Sequence, residues 1–232
     1  MKLELSERRE RETTREYALR ILSMNILRLR LAPGTALSEQ EIAGELNMSR
    51  TPVREAFIHL EEESLLKIMP QRGTYVARID LAQVQESIFL REKIEHAVME
   101  LACAAPFSAE VLEQLQRSLI QQRFFLQQED FIGFFEQDRV FHGMIYEACQ
   151  KGRIWKMLVQ NSQNYNRVRM LSLLNGDFEM SRLIEQHEKI VEAIAHSDWK
   201  RGAVVIDRHT HKVIPDLEKL EARYPDYFEG KA

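Results

Sequence analysis

Apolar residues recur along this chain at spacings of three and four almost from end to end. That rhythm predicts helices, and only one short region departs from it. From Thr14 to Leu31, Ala18, Ile21, Leu22 and Leu29 share one helical face, Asn25 interrupts it, and Ala32-Pro33-Gly34 ends the run. Residues 1–12 are dominated by charge and are expected to fray. Ser38-Glu39-Gln40-Glu41 reads as a capping box opening a short helix through Ile42, Ala43 and Leu46, which Asn47 can end in the left-handed conformation. Ser49 is a second N-cap, Pro52 sits in the first turn that follows, and Val53, Ala56, Phe57 and Leu60 make one face of that next helix. The rhythm then changes. Leu65 to Met69, a turn at Pro70-Gln71-Arg72-Gly73, and Thr74-Tyr75-Val76 read as a two-stranded wing with Arg72 at its tip. From Ile79-Asp80 onward the helical period returns, in segments near 80–105, 107–128, 130–149, 153–174, 177–197 and 199–222. The breaks at Ala105-Pro106, Glu129-Asp130, Lys151-Gly152, Asn175-Gly176-Asp177 and Ser197-Asp198 each offer a Pro, a Gly, or an acidic or Ser cap. The expected fold is mainly α: a winged helix-turn-helix over 1–78, then an antiparallel six-helix bundle over 79–232.

Length and composition change this picture little. The chain has 232 residues, enough for one large or two small domains. No run of about 18 apolar residues suggests a membrane span, and Met1-Lys2-Leu3-Glu4 does not resemble a signal peptide. Cys103 and Cys149 lie among apolar residues and read as reduced core thiols. The expectation is a soluble cytoplasmic protein with no membrane partner. Net charge is −4, which does not advertise a nucleic-acid partner. The first 78 residues hold 13 basic and 12 acidic side chains against 19 and 24 in the remainder, so any DNA contact rests on placement rather than on bulk charge.

Placement is informative in the second capped helix. Arg50, Thr51 and Arg54 share the face beside its apolar stripe, at the N-terminal end, where free N–H groups and the helix dipole favour phosphate. Arginine can also reach the O6/N7 edge of guanine in the major groove. Taken singly, these arginines are more often a solvated helix face. The ordered set of capped helix, turn, capped helix and basic-tipped hairpin shifts that balance. Leu37-Ser38-Glu39 through Ala43, then Ser49 to Ala56, then Arg72-Gly73-Thr74-Tyr75-Val76 resemble the winged helix-turn-helix of the GntR family of bacterial transcription regulators. The resemblance implies that Arg50, Thr51, Arg54, Arg72 and Gly73 meet DNA. Gln40 stands where many relatives carry a DNA-contacting Arg, and Ser64 where a Gly commonly precedes the wing.

The helical half carries polar residues on apolar stripes. Asp138 and His142 are four apart, among Phe134, Phe135, Phe141, Ile145 and Cys149. His187 lies among Leu183, Ile184, Ile190, Val191 and Ile194, and His209 among Val205, Ile206, Val213 and Leu217. A single histidine on such a face is usually a satisfied core residue. Three of them with a carboxylate suggest a divalent transition metal, zinc first and nickel or another ion as alternatives. His59, His96, His196 and His211 fall off these stripes. Asp138-Arg139-Val140-Phe141-His142, Glu185-Gln186-His187 and Asp207-Arg208-His209 resemble the FCD ligand-binding domain of FadR-type members of the family. That resemblance implies metal ligation by Asp138, His142, His187 and His209, and six helices suggest the VanR-like subgroup. It also implies a pocket for a small organic acid. Arg91, Asn166 and Arg169 lie on inward stripes and are expected to bind that effector; for Arg91 an internal ion pair with Glu95 is an equal alternative. Phe124, Phe125, Phe134 and Phe135 read as core.

These readings converge on a metabolite-responsive transcription regulator, not an enzyme, that binds a palindromic DNA operator as a homodimer, because one short recognition helix spans only a few base pairs. The rival is a metal-dependent hydrolase using the Asp/His3 set, for which no additional general base is visible beside the ligands. A metal-stabilised helical interaction domain is a third alternative.

Overall fold

The computed structural model describes residues 2–175, 180–211 and 214–230, and residues 214–216 by their backbone alone. The chain divides into two compact units. One holds the residues up to Val84 together with Asn161–Leu171 and the chain from Lys219 on; the other holds Gln85–Gln160 and Ser172–Glu218.

In the first unit, α1 (Thr14–Leu27) opens on a complete capping box, Thr13 with Glu16. It stops earlier than its apolar period suggests, and Leu29 turns left-handed at φ 58°. After β1 (Ala36–Leu37) come α2 (Glu39–Glu45) and α3 (Arg50–Glu62). Ser38 and Ser49 occupy the N-cap positions, but neither side chain makes a capping hydrogen bond, so the expected capping box at Ser38 does not form. Asn47 takes the left-handed turn between them at φ 49°. Val53, Ala56, Phe57 and Leu60 are buried, as the periodicity requires, and join Ala18, Ile21 and Leu22 of α1 in one core. β2 (Leu66–Met69) and β3 (Gly73–Val76) form the wing. The sheet has three strands in the order β1-β3-β2, all antiparallel, with Ala36 opposite Tyr75 and Leu66 opposite Val76. The third strand was not expected: a two-residue strand has no period to read.

Ser64, before the wing, sits at φ 58°. An L-residue there costs about 1–2 kcal/mol, part of which glycine's greater unfolded freedom offsets. Ser64→Gly is therefore expected to stabilise the protein by about 0.5–1 kcal/mol in urea unfolding. A destabilised variant would mean that the Ser64 side chain holds the turn.

Leu3 and Glu4, in the segment expected to fray, are held by contacts to the rest of the unit. Leu3 is buried and its N–H donates to Glu45 Oε2 at 2.8 Å. Asn25, fully buried, clamps Glu4: Oδ1 accepts from the Glu4 N–H at 2.8 Å, while Nδ2 donates to the Glu4 carbonyl at 3.0 Å and to the Ile21 carbonyl at 2.7 Å. The residue that breaks the apolar stripe thus binds a segment 21 residues away. Asn25→Leu fills the same space but strands the Glu4 groups, and is expected to cost about 2–4 kcal/mol. Unchanged stability in chemical unfolding would contradict the clamp.

The same unit contains a buried arginine that no stripe singled out. Arg167 donates to the carbonyls of Ala77 (2.5 Å) and Arg78 (3.3 Å) and to Asn164 Oδ1 (2.5 Å). Asn164 Oδ1 also accepts from the Asp80 N–H at 3.1 Å. Burial pushes the Arg167 guanidinium down to about 10. Ile79 bridges in parallel to Phe228, so the end of the described chain returns to the segment that follows the wing.

The second unit is built from α4 (Leu81–Ala104), α5 (Ala109–Gln127), α6 (Phe131–Ala148), α7 (Gly152–Gln160), α8 (Gln163–Leu174), α9 (Met180–Ala195), α10 (Trp199–Thr210) and α11 (Ile214–Arg223), of which parts of α4, α8 and α11 belong to the first unit. Ser108, Asp130 and Asp198 cap α5, α6 and α10 with side-chain bonds to Val111, Gly133 and Arg201 N–H groups. Two of the six expected helices are each divided. The stretch 153–174 breaks at Asn161-Ser162, and 199–222 ends its first part at Thr210. Polar residues without Pro or Gly gave no marker for the first break; Lys212, Val213 and the Gly176-Asp177 break lie outside the described residues. Phe134, Phe141, Ile145, Ile190, Val191 and Ile206 line the core. Phe134 and Phe135 are buried, but Phe124 is 56% exposed, so it is not core.

Candidate metal centre and nucleic-acid interface

α3 presents Arg50, Thr51 and Arg54 to solvent while the stripe Val53, Ala56, Phe57 and Leu60 is buried. Arg50 pairs with Glu39 of α2 at 3.0 Å in an exposed contact, which is too weak to withhold the guanidinium from a phosphate. Arg72 is exposed at the wing tip, where its own carbonyl accepts from the Tyr75 hydroxyl at 2.9 Å. Gln71 (φ 61°) and Gly73 (φ 108°) both take left-handed conformations there, which makes the tip tight. All five residues expected at DNA therefore lie in exposed positions of the helix-turn-helix and wing.

The three histidines of the expected ligand set also come together. His142 (α6), His187 (α9) and His209 (α10) are buried and each offers a nitrogen within 4.8 Å of the others. His209 Nε2 lies 3.1 Å from His142 Nε2, and His187 Nε2 lies 3.5 Å from Asp138 Oδ1. Donors at about 2.1 Å around one tetrahedral ion would stand about 3.4 Å apart; the three histidines form the group whose ligand atoms all lie within 4.8 Å of one another, and Asp138 stands beside one of them, His187. The spacing also suits octahedral ions, and the donors alone do not choose between metals. Burial drives the His209 imidazole well below its ordinary range, with His187 and His142 pushing the same way against Asp138. The imidazole is thus a neutral donor, the form a metal needs.

Outer contacts that the sequence reading missed hold this set. Gln122 Oε1 lies 2.7 Å from His187 Nδ1, and Gln186 Oε1 lies 3.1 Å from His209 Nδ1. Gln122 stands on the α5 stripe with Leu115, Ser118 and Leu119, and that stripe was the available signal. Trp155 of α7 stacks on His142 with ring centroids 6.0 Å apart. Gly143 leaves the space, since a Cβ there would meet the indole Nε1 at 2.9 Å. Phe141 stacks on His187 at 4.5 Å.

Of the residues expected at an effector, Arg91 shares the unit of the three clustered histidines. Its guanidinium pairs with buried Glu95 at 2.5 Å and lies 6.0 Å from the Trp155 ring centroid. The internal ion pair considered for Arg91 therefore forms. Asn166 and Arg169 belong to the Asn161–Leu171 segment of the first unit, where Arg169 lies over Tyr165 at 5.9 Å. Among the described residues the buried Tyr146 hydroxyl has no hydrogen-bond partner. It borders, with Glu95 and His142, a cavity of about 10 Å³, room for a water at most.

Residues 14–76 match the family of bacterial regulatory proteins called gntR, and residues 86–212 match the FCD domain. The chain belongs to the GntR family. Its FCD domain places it in the FadR-type branch. It is 34% identical over 209 residues to the HTH-type transcriptional repressor RspR of Escherichia coli, covering 90% of this chain and 91% of that one. It is 32% identical over 223 residues to an HTH-type transcriptional regulator of Streptomyces ambofaciens, covering 96% and 92%. The fold is shared with E. coli McbR/YncC at a TM-score of 0.72 and 20% identity, over 91% of this chain and 99% of that one. This GntR-family protein is a transcriptional regulator, and its family's partner is operator DNA. No described helix is long and apolar enough to cross a membrane.

Proposed function

We propose that this regulator reads a palindromic operator as a homodimer in the cytoplasm and answers to a small carboxylate through a divalent metal, zinc first, in its FCD domain. Arg50, Thr51 and Arg54 read the major groove, and Arg72 and Gly73 meet the flanking backbone. Residues 1–78 carry the DNA function and 79–232 the metal and effector functions, although residues 161–171 and the chain from 219 pack in the first compact unit. The observation that carries the metal reading is the convergence of three buried imidazoles, with the Asp138 carboxylate 3.5 Å from one of them, His187. Imidazole nitrogens and one carboxylate are a donor set that a divalent ion satisfies.

A bound ion supplies an electrophilic position for a carboxylate oxygen. Arg91, in the unit of the three histidines, is assigned to the effector; Asn166 and Arg169, also expected there from the sequence, belong to the first unit. For Arg91 this requires its pair with Glu95 to reorganise, so the effector must compensate for a buried ion pair. The effector changes operator affinity only by the difference between its affinities for the two arrangements of the DNA-binding parts. The VanR-like placement rested on six helical stretches; the breaks inside two of them leave that count without force. Relatives named as regulators favour this reading over the hydrolase alternative.

The test is selection of bound fragments from a random DNA pool at stated salt, with purified protein of measured metal content and with and without carboxylic acids. A palindromic consensus whose affinity responds to one acid, only in metal-loaded protein, is the expected result. A consensus indifferent to metal and acids would remove the metal and effector parts.

A further inference from the structure

We infer that Gln122 and Gln186 are positioning residues that hold His187 and His209 in the tautomer able to bind a metal. The inference rests on the metal-binding reading for its purpose, but part of its test does not depend on it. A neutral imidazole has one lone pair, and it coordinates only through the nitrogen without the proton. Here the nitrogens that converge are Nε2: His209 Nε2 faces His142 Nε2 at 3.1 Å, and His187 Nε2 faces Asp138 at 3.5 Å. The Nδ1 atoms of the same two rings point outward, each to a glutamine carbonyl oxygen, at 2.7 Å for Gln122 and 3.1 Å for Gln186. A carbonyl oxygen only accepts, so it favours the proton on Nδ1; at His187 the Asp138 carboxylate is a competing acceptor for a proton on Nε2, but it stands farther off, at 3.5 Å against 2.7 Å.

The Gln122 side chain makes the argument specific. It is fully buried, and among the described residues its Nε2 has no hydrogen-bond partner. Leucine would occupy that volume on the Leu115–Leu119 stripe without an unmet amide, so the polar group needs a use, and the His187 contact is the bond it makes. The reversed amide would donate to Nδ1, move the proton to Nε2 and block the ligand. The two amide orientations therefore make opposite predictions. Gln186 adds a geometric link, because it precedes His187 on α9 and reaches His209 on α10. One helix thus supplies a ligand and the outer partner of another. Both acceptors are neutral amides rather than carboxylates, so they orient the rings while adding little basicity, which suits an ion that exchanges.

Nitrogen-resolved NMR of the imidazoles in chelator-treated, metal-free protein decides the first part. His187 and His209 are expected to carry the proton on Nδ1, and Gln122→Leu should abolish that preference at His187 alone. A proton on Nε2 of His187 in the wild type would overturn the inference, whatever the metal does. Zinc affinity by chelator competition, with the cobalt d–d spectrum as a second readout, decides the rest. Gln122→Leu and Gln186→Leu should each weaken zinc about 10- to 100-fold and shift the cobalt bands. Gln122→Glu, which retains an acceptor oxygen, should bind at least as tightly as wild type. Wild-type affinity in a folded Gln122→Leu protein would also overturn it. Should that variant not fold, half-buried Gln186 carries the same measurement. Wild-type protein that binds no divalent ion would end the metal reading, and the tautomer result would still decide this one.

Discussion

Arg54→Ala is expected to lower specific operator affinity about 30-fold or more and to leave the fold intact. Arg54 is exposed on α3 one turn from the helix start, on the face beside the buried Val53–Phe57 stripe. A bidentate arginine-guanine contact is worth about 1–3 kcal/mol, and a dimer on a palindrome loses it twice. The variant removes no buried contact, so thermal unfolding should move by no more than about 0.5 kcal/mol. Arg72→Ala separates the roles. A wing-tip contact to phosphate should weaken all sequences alike and flatten the salt dependence, whereas Arg54→Ala should narrow the gap between operator and random DNA. Fluorescence anisotropy with both DNAs at two salt concentrations makes the comparison. Operator affinity retained in Arg54→Ala would sink the assignment of α3 as the reading helix.

That prediction could be written from sequence because each part of the DNA-binding region carries a local signal. Asn47 marks its turn, Ser38 and Ser49 mark the helix starts even without bonding as caps, and the Val53-Ala56-Phe57-Leu60 stripe fixes which side of α3 is outward. What was not legible is non-local. Glu4 meets Asn25 across 21 residues, and a charged N-terminus gives no hint of the clamp. Arg167 reaches the Ala77 carbonyl across 90 residues, from a helix whose stripes drew attention to Asn166 and Arg169 instead. The cluster of three histidines was legible because inward histidines stand out on apolar stripes. Gln122 was not, because one glutamine on such a stripe reads as a tolerated polar residue until the neighbouring helix shows the imidazole it faces. The break at Asn161-Ser162 fell outside the reach of Pro and Gly punctuation, and it matters because it separates Trp155, stacked on His142, from the segment that holds Arg167.

His187→Ala is expected to abolish the stabilisation of the protein by zinc. His187 is the most enclosed of the proposed ligands, touching Asp138 at 3.5 Å, Gln122 at 2.7 Å and the face of Phe141 at 4.5 Å between ring centroids. Truncation leaves a cavity and a buried carboxylate without that imidazole, so the variant will also be intrinsically less stable. Comparing melting temperatures of the two proteins would confuse these effects; the response of each protein to the ion does not. A ligand at 100 times its Kd stabilises the state it binds by about 2.7 kcal/mol. Wild type should show a shift of that order as zinc is raised, and chelator should reverse it. Losing an outer partner of a ligand already costs about 10- to 100-fold in affinity, and losing the ligand should cost more, so the variant should show no shift over the same range. The acid-dependent change in operator affinity should disappear with it, while DNA binding itself, which depends on α3 and the wing, persists. A variant that stays fully metal-loaded would move the ion elsewhere and leave Asp138, His142 and His209 as a polar cluster of the core. A wild type without any response to zinc, nickel or cobalt would return all four residues to that status and leave the effector to bind, if it does, through arginines alone.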